Sequence, residues 1–317
     1  MDTTEPTTAA RRTFSRRRVL GGGAALLAAG SGGTAWALDR YVIQHPEVTN
    51  ASSQWSSASA TTASVATSAT ANSASTSATA ITVKKVVTGS GSGTVTYYVA
   101  DLKLRAGSDL RAAFAQDTFG SNIVEFTSTI AKANNARWAI NGDYYGFRST
   151  GIVVRNGTAF RDKGARQGLA VYRDGTMALF DETATNAATL ISDGVWHTLS
   201  FGPGIVADRK VVSGIESIEI DTNVGNHSIQ GDQPRTGIGM VEANHLVAVV
   251  ADGRSSGYSK GVTMTEFATI FTGLGAQVAY NLDGGGSSVM YFDGALASSP
   301  LGKGQERGTS DILFVGA

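Results

Sequence analysis

The chain has 317 residues, enough for one large domain or two ordinary ones with a buried core. Lysine plus arginine and aspartate plus glutamate number 26 each, so the basic excess that a nucleic-acid partner demands is missing. Cysteine is absent, which excludes disulfides, thiolate chemistry and cysteine-bound zinc, while 39 glycines against five prolines favour tight turns in a strand-rich globular enzyme.

Residues 1–40 read as a targeting segment. Arg11, Arg12, Arg16, Arg17 and Arg18 form a basic region before an uncharged stretch at residues 19–38, and Ser15-Arg16-Arg17-Arg18-Val19-Leu20 resembles a twin-arginine export motif. The stretch fits a cleaved signal, with Ala35-Trp36-Ala37 as its cleavage site, or a retained single-pass membrane anchor. Either places the rest of the chain outside the cytoplasm, secreted or held at the membrane. Residues 41–80 are expected as a Ser/Thr/Ala-rich flexible stalk, because such a stretch buries too little apolar surface to offset its ordering entropy.

From residue 81 to 317 the pattern changes to alternating apolar residues and frequent turns. Strands are predicted at residues 94–100 and 168–172, the latter joined through Arg173-Asp174-Gly175-Thr176 to a strand at 177–180. A helix is predicted from about Asn122 to Ala136, with Asn122 and Glu125 spaced as a capping box. A second is marked by Thr263 and Glu266, a stripe of Met264, Phe267, Ile270, Phe271 and Leu274, and a closing Gly275.

Three apolar runs, at 137–140, 246–250 and 277–280, end in Asn141-Gly142-Asp143, Asp252-Gly253-Arg254 and Asn281-Leu282-Asp283-Gly284. Laid side by side, these strand ends bring carboxylates, amide and guanidinium to one cleft, the usual place for a site on an α/β or α+β scaffold. Gly284-Gly285-Gly286-Ser287-Ser288 fits a ligand loop whose amides cradle an anion, or a plain hairpin between buried strands. Arg235 follows Pro234 and precedes Gly237 and Gly239, which keep space clear for a bidentate grip on phosphate or carboxylate; a surface arginine in a polar turn reads the same way. Arg254 and Arg307 fit phosphate neutralisation or pairing with a neighbouring acid, and His227 in Gly-Asn-His-Ser fits a general acid or base. No serine-hydrolase elbow or zinc-protease motif occurs. Acids beside glycine turns suit a divalent cation such as calcium, although not at EF-hand spacing, and no cofactor is required.

Taken in order, Ala139-Ile140-Asn141-Gly142-Asp143-Tyr144-Tyr145, Phe201-Gly202-Pro203-Gly204, Pro234-Arg235-Thr236-Gly237-Ile238-Gly239, Asp252-Gly253-Arg254, residues 261–267 and Asn281–Ser288 resemble the phosphodiester glycosidase family. One departure is Asp143, where the family's Asn-Gly-Gly has its second glycine. The resemblance implies an α+β domain, a mixed, strand-rich twisted sheet core with two main amphipathic helices and a surface cavity at strand ends. It also implies hydrolysis of a carbohydrate phosphodiester with release of the sugar. On that reading Arg235, Arg254 or Arg307 with the Gly285, Gly286 and Ser287 amides hold the phosphate beside Ser288. Asp283 or Asp252 attacks or activates water, Asp143 adds a further catalytic carboxylate that alters the acid-base arrangement or the substrate preference, and Asn141 and Asp143 bind sugar hydroxyls. Two other readings use the same cleft: a non-catalytic module binding surface polysaccharide, and a phosphodiesterase attacking at phosphorus.

Overall fold

The computed structural model describes residues 38–39, 42–55, 79–220 and 228–317. The chain divides into two compact units, residues 1–43 and Gln44–Ala317, and the second carries the sheets.

Among the described residues the strands run in chain order as β1 (His45–Thr49), β2 (Ala80–Thr88), β3 (Val95–Lys103), β4 (Leu110–Phe114), β5 (Thr118–Ser121), β6 (Ala136–Asn141), β7 (Gly151–Arg155), β8 (Thr158–Lys163), β9 (Gln167–Tyr172) and β10 (Met177–Asp181). They continue as β11 (Val195–Leu199), β12 (Gly204–Ala207), β13 (Lys210–Val211), β14 (Arg235–Glu242), β15 (His245–Ala251), β16 (Val278–Asn281), β17 (Met290–Phe292), β18 (Ala295–Leu296) and β19 (Asp311–Gly316). Helices α1 (Thr127–Ala133), α2 (Ala187–Ser192) and α3 (Met264–Gly273) lie between them. A seven-stranded sheet has the order β13-β12-β16-β14-β15-β3-β2, and a five-stranded sheet β18-β17-β6-β19-β4. The remaining sheets are β10-β9-β11, β1-β5 and β7-β8, and the fold is mixed α+β.

The run Leu246–Val250 is continuously apolar because both faces of β15 are covered. Leu246, Ala248 and Val250 join a core with Trp138, Ile140 and Leu313 of the five-stranded sheet. Val247, Val249 and Ala251 face the other way, onto Met264, Phe267 and Phe271 of α3. On the outer face of the five-stranded sheet, Ile130 and Ala131 of α1 pack with Ala139, Ile312 and Phe314. The two large sheets are therefore layered face to face between α1 and α3, each strand alternating its side chains between two cores.

Helix α3 starts and stops as its sequence indicates. The Thr263 side chain accepts from the Glu266 amide, and the Glu266 carboxylate accepts from the Thr263 amide. At the other end Gly275 lies at φ +84, its amide reaching the Thr272 carbonyl and the Ala276 amide the Phe271 carbonyl. That closes the last turn in a Schellman motif. Thr263→Ala should cost about 1 kcal/mol in urea unfolding, the usual value of such a cap.

Helix α1 is shorter than predicted. Asn122 sits at φ +60 instead of capping, Glu125 pairs with Thr309 in an isolated bridge, and the Glu125 carboxylate accepts from the Gln116 amide. Residues 122–125 are thus drawn out of the helix by partners distant in the chain, and Phe126 at the N-cap is exposed. Part of the expected stalk also belongs to the folded unit. Strand β1 pairs with β5, Ala51 is fully buried, and Trp55 packs at 6.0 Å from Phe114.

Candidate active site

Strand β16 delivers the chain into the Asp283 turn at the wall of an open cleft, whose space including its mouth is about 720 Å³. Tyr144 and Phe201 form an aromatic side, Ile229 and Pro234 an apolar one, and Asp283, Arg254 and Arg307 supply the charge.

The glycine turn is built by close backbone approach. A β-carbon on Gly284 would lie 2.8 Å from the Pro234 carbonyl oxygen, and Gly285, at φ +62, donates its amide to that same oxygen at 2.9 Å. The Ser287 amide donates to the Gly284 carbonyl and the Ser288 amide to the Gly285 carbonyl. These donors are consumed in shaping the turn, so the expected amide cradle at Gly285 and Ser287 is not available to an anion. The serine side chains are also turned inward: Ser287 Oγ accepts from Arg307 and Ser288 is buried.

What the bare glycines admit instead is two guanidinium groups. Arg254 lies over Gly285 and Arg307 over Gly286, with guanidinium atoms 3.6 Å and 3.5 Å from where β-carbons would be. Arg254, held at φ +55 at the end of β15, is fixed through Nε to Gln233 Oε1 at 2.8 Å. Arg307 is fixed through Nε and Nη2 to Ser287 Oγ, at 3.1 and 2.7 Å. Its Nη2 lies 3.6 Å from an Asp283 carboxylate oxygen. Asp283 is largely buried, and burial pushes its carboxyl up, opposed chiefly by Arg307.

Several expected site residues turn out to be scaffolding. Asn141 is buried: its Nδ2 donates to the Asp283 carbonyl at 2.8 Å, while its Oδ1 accepts from Thr236 Oγ1 and the Val289 amide. It positions the Asp283 turn and offers nothing to a sugar. The Asp143 carboxylate is fully buried and accepts from the Tyr144 amide at 2.7 Å and the Ser200 amide at 2.6 Å, with Arg155 Nη2 at 3.8 Å. It too lies off the cleft, anchoring the residues that carry Tyr144 and Phe201. Arg235 spends Nε and Nη2 on the carbonyls of Val262, Ile229 and Gly231, and burial lowers it to about 10. Its bidentate grip is therefore on the backbone of the cleft rim. The space that Gly237 and Gly239 keep clear is filled by Phe267 and Phe271 of α3, which lie where β-carbons would stand.

Asp252 also turns away from the cleft. Its Oδ2 accepts from Tyr258 Oη at 2.8 Å and from the Ser299 amide at 3.0 Å, its Oδ1 is buried without a partner, and Lys85 Nζ lies 5.3 Å from the Tyr258 ring centre. Burial pushes this carboxyl up to about 6 against the hydrogen bonds that lower it. A carboxyl near 3.9 unfolded and near 6 folded binds its proton more tightly when folded, so its cost to stability is absent below pH 4 and complete above pH 6. Asp252→Asn should therefore reduce the gain in stability between pH 7.5 and pH 4.5 by on the order of 2 kcal/mol in paired urea titrations. It should leave turnover in place.

His227 lies outside the described residues. The described His197 is a buried core group, lowered to about 3 by burial and bonded to the Leu110 carbonyl. Among the described residues no cluster of three metal-ligating side chains occurs. Sequence reasoning missed the charge knot behind the cleft: Arg155 Nε donates to Asp311 Oδ2 at 2.7 Å, and Asp311 Oδ1 accepts from the Asp143 amide at 2.8 Å. A charged residue closing the buried run Gly151-Ile152-Val153-Val154 was its one visible signal.

The SPbeta prophage-derived uncharacterized protein YomE of Bacillus subtilis (strain 168) is 30% identical over 206 residues, which are 62% of this chain and 30% of that protein. The chain thus spans less than a third of that relative. The zebrafish N-acetylglucosamine-1-phosphodiester alpha-N-acetylglucosaminidase catalytic domain, auto-inhibited by its pro-peptide, has the same fold at a TM-score of 0.60 and 18% identity. The match covers 77% of this chain and 85% of that one. A hypothetical protein from Synechocystis matches at a TM-score of 0.55 and 15% identity, over 74% of this chain and 61% of that one. The phosphodiester glycosidase family model matches residues 134–316, which include the Asp283 turn, Arg254 and Arg307, and the chain belongs to that family.

Proposed function

We propose that this chain is an exported hydrolase that cleaves a glycosyl phosphodiester at the anomeric carbon, releasing free sugar and a phosphate monoester, in cell-surface or exopolysaccharide metabolism. The observation that carries the reading is the Asp283 carboxylate set beside two arginines and facing an aromatic wall. Export rests on the arginine-led segment at residues 11–38, nearly all of it outside the described residues. No described helix is long and apolar enough to cross a membrane.

The chemistry follows from the leaving group. Alkoxide departure needs a strong general acid, which is why two carboxylates flank an ordinary glycosidic bond. A phosphate monoester leaves readily, its second pKa being about 6. One carboxylate then suffices. Asp283, made more basic by burial, takes a proton from water as the water oxygen bonds to the anomeric carbon. The bond between that carbon and the phosphate oxygen breaks, and its electron pair leaves on the phosphate, where Arg254 and Arg307 neutralise the growing charge. Tyr144 and Phe201 stack on the sugar.

Hydrolysis of a glycosyl phosphodiester in oxygen-18 water checks the bond that breaks. Label in the sugar is expected; label in the phosphate would mean attack at phosphorus, and absence of turnover would favour a binding module.

A further inference from the structure

Three arginines line the cleft against one carboxylate; Arg235 is tied to backbone carbonyls of the rim, which leaves Arg254 and Arg307 to face a ligand, and this imbalance bears on what happens after cleavage. Asp283 is the one acidic side chain lining the cleft among the described residues, and it stands 3.6 Å from Arg307. Arg254 has no carboxylate partner among the described residues, and its Nη1 and Nη2 make no hydrogen bond to any of them. Stacking the two cations on adjacent glycines leaves each in the other's field, so that Arg254 is lowered by partial burial first and by Arg307 second. Both guanidinium groups are exposed in the cleft, where an anion can reach them.

We propose that the Arg254–Arg307 pair makes the cleft a retention site for dianionic phosphate, so that the released phosphate monoester outcompetes the monoanionic diester and feeds back on the enzyme. The inference rests on the proposed function, since it takes the phosphate to lie at the two arginines. Substrate and product differ there by one unit of charge. The diester carries one negative charge, and the monoester gains a second when the bond to the sugar breaks and its electron pair stays on the phosphate. In the same step Asp283 takes the water proton and becomes neutral. The cleft is thus most positive when its ligand is most negative. Departure of the monoester is coupled to loss of that proton. Besides Arg307, the charges felt by Asp283 are Arg148, which favours its ionised form, and Asp143, which opposes it. Neither touches the phosphate position at Gly285 and Gly286.

The probes are methyl phosphate, a dianion at pH 7.5, and dimethyl phosphate, a monoanion with the same core, titrated calorimetrically into the full chain. Methyl phosphate should bind on the order of tenfold tighter at pH 7.5, the scale of one charge-assisted contact in a partly solvated site. The preference should shrink at pH 5, where methyl phosphate is mostly monoanionic, and on raising the salt. It should be lost in Arg254→Gln, and in Arg307→Gln if the first variant fails to fold. Methyl phosphate should also inhibit turnover competitively.

Equal binding of the two probes by a protein that puts oxygen-18 into the sugar would overturn the retention site and leave the proposed function standing. The reverse outcome, preferential binding with label at phosphorus or no turnover, would sink the glycosidase reading and keep the anion site.

Discussion

Asp283→Asn should lower turnover of a glycosyl phosphodiester by roughly 10²–10⁴-fold, the usual contribution of a positioned general base, with the fold intact. The fold survives because the turn is held by main-chain groups. The Asp283 carbonyl receives Asn141, Gly285 reaches Pro234, and Gly284 stays pressed on the same carbonyl. Initial rates, with circular dichroism to confirm the fold, make the measurement, and full activity in the variant would remove Asp283 from the mechanism. The pH profile carries the same assignment. A base works only when deprotonated, and burial holds the Asp283 carboxyl above its ordinary 3.8, so the acid limb of the rate should lie above that value. Arg307 is the largest influence pulling it down. Arg307→Gln should move the acid limb to higher pH, besides weakening substrate binding.

The second large effect is on stability. Arg155 is fully buried, donating to Asp311, to the Val154 carbonyl and to the Thr198 carbonyl, with Asp143 at 3.8 Å. Removing the cation strands two carboxylates in a medium that penalises charge, so Arg155→Met should cost about 3–5 kcal/mol in urea unfolding. Adding Asp311→Asn to that variant should recover part of the loss, because one stranded charge goes with it. Full additivity of the two losses would mean that the groups are not coupled.

Much of the architecture was legible where local chemistry and tertiary environment agree. The apolar run at 246–250, the hairpin between β9 and β10, and the capped helix α3 carry their signals within a few residues. Helix α1 lost its first turn because Asn122 and Glu125 serve partners at Gly146, Thr309 and Gln116, which no local pattern records. The site shows the same division. Asp283, Arg254 and Arg307 were legible from glycine turns, and the structure brings all three to one cleft. Asn141, Asp143, Asp252 and Arg235 look alike in sequence, each a polar group within two residues of a glycine. Their side chains turn inward only because Thr236, Ser200, Tyr258 and the Val262 carbonyl wait there. The composition of residues 41–80 hid β1 because its five residues are a small part of a long polar sequence.

Phe267 and Phe271 rest on the bare backbone of Gly237 and Gly239, two and four positions beyond the arginine that ties down the cleft rim. Helix and strand therefore share one steric allowance, and neither can drift in sequence alone. A methyl group gained at Gly237 would meet the Phe267 ring first, at 2.8 Å, whereas one gained at Gly239 would meet the Val278 carbonyl oxygen at 2.7 Å before the Phe271 ring at 3.0 Å. Substitutions at Gly237 and Phe267 are expected to be epistatic, and lineages that remodel the rim are expected to change the two together, while Gly239 is held by the backbone of β16 as well.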